Sequence, residues 1–199
     1  MQLQRTSRSA LIVVLAVAAG LLAGGMLLRV HVERQRVRLE QALDRAEHLL
    51  HMGESAKAEK VLRRALRSSP KSLALRDMLA NVYEFSGKKE KAFEQRRLAV
   101  ELNPRSPDAY FMLGMLCLSE GRHKEAISVL NQGRSVIREH RPARQVLARC
   151  YWHEGQPKKA MEEFRSILAD FPDDKAALQG IKALERDMAK KKALAAKSK

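Results

Sequence analysis

Four glycines, Gly53, Gly87, Gly121 and Gly155, stand 34 residues apart, and five residues after each comes an alanine: Ala58, Ala92, Ala126 and Ala160. Pro70, Pro104 and Pro172 complete the frame, with Arg138 in place of the third proline. A fixed period of this length constrains the fold more than any local propensity, because it marks one supersecondary unit copied along the chain. Gly takes the positive φ that ends a helix before a sharp turn, and Ala at a crossing lets two helices approach closely. Pro stops the second helix and sets the entry to the next unit. Each unit is then two antiparallel helices with one apolar face that only a neighbouring unit can cover. Without a proline at 138, the turn after the third unit lacks its usual helix stop.

The residues around this frame resemble the tetratricopeptide-repeat family over 39–174, in units 39–72, 73–106, 107–140 and 141–174. In the third unit Tyr110, Leu113, Gly114 and Cys117 follow the family's W-x-x-L-G-x-x-Y pattern, with Tyr for Trp and Cys for the final Tyr. The fourth supplies Leu147, Ala148, Tyr151, Ala160, Phe164 and Pro172; the second supplies Leu79, Ala80, Tyr83 and Ala92 but carries Arg96 where a large apolar residue is usual. The first is weakest, with Arg45 for the leucine, as befits a terminal repeat. The resemblance implies an all-α solenoid of four helix-turn-helix repeats. Residues 175–189 read as a capping helix, with Ala177, Leu178, Ile181 and Leu184 on its packed side, and the lysine-rich tail 190–199 is expected to be disordered.

Upstream, Ala10 to Leu28 forms nineteen residues without a charge, long enough at about 1.5 Å per residue to cross a bilayer. Behind the basic tail 1–9 this reads as a single transmembrane helix, continued by a basic helical stalk over 29–38. Ala23-Gly24-Gly25 offers a signal-peptidase site, but the apolar run continues past it, which favours an uncleaved signal anchor. Arg5 and Arg8 precede the span and Arg29, Arg34, Arg36 and Arg38 follow it, a weak bias toward a cytoplasmic repeat domain at a bacterial inner membrane. Ala16, Gly20 and Gly24 recur every four residues, a spacing that suits a homodimer face in the membrane.

The formal charge of +15 sits mainly at the ends, +5 over residues 1–38 and +6 over 175–199. This distribution suits contact with anionic lipid better than nucleic acid, for which no familiar motif occurs. It supports a second reading, a basic adaptor for lipid surfaces or nucleic acid that works through its charged ends.

Repeat stacks that resemble this one bind a peptide or partner helix in the concave groove lined by the first helix of each unit. Projecting those helices places Glu47, Asp77, Asn81, Glu84, Phe111, Met115, Leu118, Gln145, Arg149 and Trp152 toward it. The paired Lys, Arg and Asn with which some family members hold a carboxylate are absent, and Glu47, Asp77 and Glu84 would repel an acidic tail. A mixed apolar and basic peptide is therefore the expected partner, within a bacterial envelope-associated scaffold. His48 with His51, and Cys150 with His153, sit three residues apart, too few ligands for a metal site, and no catalytic or cofactor-binding motif appears. No enzyme activity, metal or cofactor is expected.

Overall fold

The computed structural model describes residues 26–194 and Ala196 with their side chains. Among the described residues it contains nine helices and no strand. They are α1 (Gln2–His51), α2 (Ser55–Ser68), α3 (Leu73–Phe85), α4 (Lys89–Leu102), α5 (Pro107–Ser119), α6 (His123–Gln132), α7 (Arg141–His153), α8 (Pro157–Asp170) and α9 (Lys175–Lys197). Among the described residues no helix is long and apolar enough to cross a membrane. The span expected at 10–28 falls mostly outside the described residues, and the face of Ala16, Gly20 and Gly24 lies wholly outside them.

Two compact units divide the chain, Met1–Ser69 and Pro70–Lys199. In the first, α1 and α2 form a helix pair that encloses Ala46, Ala58 and Leu62. In the second, α3 to α9 stack as successive helix pairs, with Leu75, Phe93, Cys117, Leu130, Ile137, Leu147, Ile167 and Leu184 fully buried.

The turn inside each pair is built the same way. Gly53, Gly87, Gly121 and Gly155 have φ of 75°, 69°, 70° and 69°, a left-handed conformation that costs any other L-residue about 1–2 kcal/mol. The amide after each glycine then reaches back to a helix carbonyl: Glu54 to Leu49, Lys88 to Tyr83, Arg122 to Cys117 and Gln156 to Tyr151, all at 2.8 Å. These bonds satisfy carbonyls that the helix end would leave open.

A second 34-residue series, which the sequence reading does not pick out, starts the first helix of each pair in the second unit. Ser72, Ser106, His140 and Asp174 each accept the amide three residues on, from Leu75 (3.3 Å), Ala109 (3.4 Å), Ala143 (3.1 Å) and Ala177 (2.6 Å). Side-chain acceptors at this position fix where a helix begins.

Two expectations are corrected. The third repeat does have a helix stop, and it comes early: α6 ends at Gln132, and 133–139 continues as turns, with Val136 and Ile137 both donating to the Gly133 carbonyl at 2.9 Å. Gly133 packs under the Tyr110 ring, where an added Cβ would lie 2.5 Å from Cγ. The tail is not irregular either, since α9 runs to Lys197; Ala, Leu and Lys after Ala189 are strong helix formers and contain no breaker.

Candidate partner-binding groove

Within the second unit, α5, α7 and α9 enclose a cavity of about 400 Å³. Phe111 and Met115 come from α5, and Pro142, Gln145, Val146, Arg149 and Trp152 from α7. α9 closes the side with Ala176, Gln179, Gly180 and Ala183, and Phe164 of α8 forms the floor. Five of the residues projected onto the groove from sequence, Phe111, Met115, Gln145, Arg149 and Trp152, are thus brought together. Leu118 is half-buried and off this lining.

The contribution of α9 is what sequence reasoning missed. Gly180 was its available signal, a glycine in the interior of an otherwise strong helix. A Cβ there would lie 2.5 Å from Phe164 Cζ, so the absence of a side chain is what lets α9 lie against α8. Asp174 fastens the start of α9 from below. It is buried, caps Ala177, accepts from Gln145 Nε2 at 2.9 and 3.0 Å, and lies 3.3 Å from Arg141 Nε. At the other end Trp152 Nε1 donates to Asp187 Oδ2 at 3.3 Å. Asp187 is held below the usual carboxylate range by the hydrogen bond from Lys191 first and that from Trp152 second.

Arg149 stands apart from these anchored groups. Its side chain is exposed at the mouth of the cavity, and among the described residues its guanidinium has no hydrogen-bond or ion-pair partner. The other polar groups on the α7 wall, Gln145 and Trp152, are already engaged. An apolar cavity edged by one uncommitted cation is matched by an apolar side chain with a carboxylate beside it.

The acidic end expected from Asp77 and Glu84 is not free. Arg96 of α4, buried at 6% exposure, pairs with Asp77 through Nη1, and its Nη2 donates to Asn81 Oδ1 at 2.8 Å and Glu84 Oε1 at 2.7 Å. Nε adds a second bond to Glu84 at 3.2 Å. The guanidinium at the position where an apolar residue is usual binds both carboxylates that were expected to repel an acidic ligand and offsets one of their two charges. Glu47, in the first unit, is exposed and 3.9 Å from His51.

Among the described residues no three His, Cys, Asp or Glu side chains are grouped to hold a metal. Cys117 and Cys150 are free and buried, and burial pushes both thiols up to about 12, so neither supplies a thiolate at neutral pH. His153 stacks on His123 with ring centres 4.6 Å apart, and burial, followed by the charge of His123, lowers its pKa.

Tetratricopeptide-repeat family profiles match residues 118–185 and 97–128. Residues 97–185 carry tetratricopeptide repeats. The fold of the chain is that of solved tetratricopeptide-repeat structures at low identity. MamA is 20% identical over 76% of this chain and 83% of its own, with a TM-score of 0.62. PilF of Pseudomonas aeruginosa is 19% identical over 78% and 71%, with a TM-score of 0.64. YrrB, described as a tetratricopeptide-repeat protein with an unusual peptide-binding site, is 18% identical over 74% and 76%, with a TM-score of 0.57. No curated protein matches the chain in sequence. The repeats imply binding to other proteins, the general role of this fold.

Proposed function

We propose that this chain is a membrane-tethered, non-enzymatic adaptor that captures a segment of a partner protein in the cavity between α5, α7 and α9. The observation that carries this reading is the unpaired Arg149 guanidinium at the mouth of an apolar cavity of about 400 Å³. The partner segment presents an apolar side chain next to a carboxylate. This replaces the mixed apolar and basic ligand expected from sequence, because Asp77 and Glu84 are engaged by Arg96 and lie off the cavity lining, whereas Arg149 is on it. Residues 10–28 supply the tether, and the four arginines after them favour repeats on the cytoplasmic face of a bacterial inner membrane, in an envelope-associated complex.

A photo-crosslinking residue at Met115 in the full chain, followed by mass spectrometry of the adduct, tests capture. The expected adduct is a peptide with an acidic residue within two positions of the apolar one, and its yield falls in an Arg149→Glu background. Equal yields in both backgrounds count against the reading. For the tether, alkaline extraction should leave the full chain in the membrane pellet and release a chain lacking residues 1–28, while protease added to spheroplasts should spare the repeats.

A second reading draws on α2, where Lys60, Arg63 and Arg67 line one surface depression with Glu59. These cations suit an anionic lipid surface. Vesicle flotation of the chain lacking residues 1–28 separates the two: salt-sensitive binding lost in Lys60→Glu/Arg67→Glu supports lipid contact, and no flotation removes it.

A further inference from the structure

We propose that the segment 27–38 of α1 pairs in parallel with the same segment of a second copy of this chain. α2 covers α1 only from Leu39 onward in the first unit; from Met26 to Arg38 every described residue is exposed. A single helix turned wholly to water has little to hold it, because helical stability in proteins comes mostly from packing. Yet this stretch is not uniformly polar. Val30 and Val37, seven residues apart, are 40% and 41% exposed and, with Glu33, Arg34 and Arg38, line one shallow groove along the helix.

That set has the composition of a two-stranded seam. With Val30 and Val37 at the two d positions, Leu27 and Arg34 fall at a, Glu33 at g and Arg38 at the following e. In a parallel pair the g residue of one helix faces the next e residue of its partner, so Glu33 meets Arg38 of the second copy, twice by symmetry. In the antiparallel arrangement g faces g and e faces e, which sets Glu33 against Glu33 and Arg38 against Arg38. The charges therefore select the parallel pair. Neither Glu33 nor Arg38 has a hydrogen bond or ion pair among the described residues, whereas the neighbouring Arg36 is bonded to Glu40 at 3.0 Å on another face. Arg34 at an a position is a polar interruption of the kind that restricts register and strand number. In sequence the same alternation of three and four residues reads back from Leu27 through Ala23 and Gly20 to Ala16, so one stripe serves both the stalk and the apolar run before it.

Single cysteines placed in the full chain in detergent micelles test this. Cys117 and Cys150 are buried, which keeps the native thiols out of the reaction. Under mild oxidation Val30→Cys and Val37→Cys are expected to give disulfide-linked dimers, and Val32→Cys, 56% exposed on the opposite side, at least fivefold less. Adding Glu33→Arg to Val37→Cys should lower the dimer yield severalfold, and adding Arg38→Glu as well should restore it. No cross-link at Val37, an equal yield at Val32, or failure of the double charge swap to recover the yield of the single swap would overturn the proposal. Far-ultraviolet circular dichroism of each variant confirms that the repeats stay folded.

Discussion

Replacing Arg96 by leucine, the kind of residue usual at its position, should destabilise the second unit. The guanidinium is buried and makes bonds to Asp77, Asn81 and Glu84. Hydrogen bonds to charged groups contribute about 1.5–3 kcal/mol each, and removing one side of a fully buried pair costs about 3–5 kcal/mol. Asp77 and Glu84 side chains are 24% and 36% exposed, so both regain some water when the arginine goes. That places Arg96→Leu at about 2 kcal/mol, below the value for a fully buried pair. In Asp77→Asn/Glu84→Gln/Arg96→Leu no carboxylate is left uncompensated, and at least half of the loss should return. The assay is urea denaturation followed by circular dichroism. An Arg96→Leu protein within about 0.5 kcal/mol of the parent, in the range of an ordinary surface change, would refute the assignment of Arg96 as the group that holds these carboxylates.

Two glycine substitutions should fail for different reasons. Gly87→Ala meets open space but sits at φ 69°, so it should cost about 1–2 kcal/mol and be partly relieved by asparagine, which tolerates that conformation. Gly133→Ala drives a Cβ into the Tyr110 ring and should cost about 1–3 kcal/mol, relieved by Tyr110→Leu rather than by asparagine; denaturation midpoints of the four proteins separate the cases. For His153 the folded pKa is lowered, so the unfolded chain binds the proton more readily. Stability is then full above about pH 6.5 and declines as pH falls toward the lower folded value, a slope that His153→Phe should flatten in urea titrations between pH 7.5 and 5.5.

The periodic part of the fold was legible because it depends on residues whose chemistry is local. A positive φ at Gly53, Gly87, Gly121 and Gly155, and the adjacent backbone bonds, need nothing beyond the turn itself. The capping series Ser72, Ser106, His140 and Asp174 was equally regular but harder to see, since histidine is an unusual acceptor there. What the sequence hid were contacts between helices. Arg96 stood out as an anomaly, but only packing joins it to Asp77, 19 residues away, and so turns an expected acidic patch into a hydrogen-bonded cluster with half of its negative charge offset. Where α6 ends early, Gly133 lies against Tyr110, a contact that no periodicity reveals. In the same way Phe111, Met115, Arg149 and Trp152 could be projected onto one surface, while the wall that makes that surface a cavity comes from α9, read in sequence only as a cap.

Trp152 is the single tryptophan of the chain and lines the cavity, so its fluorescence reports on the site directly. Titrating the full chain with short peptides that pair a leucine or phenylalanine side chain with an adjacent carboxylate should give a saturable change in Trp152 emission. The change should be much weaker for the same peptides with lysine in place of the acid, and lost in Arg149→Glu. A response that is equal for the basic peptides, or that survives Arg149→Glu, would contradict the account of this cavity as a partner-binding site for an apolar and acidic segment.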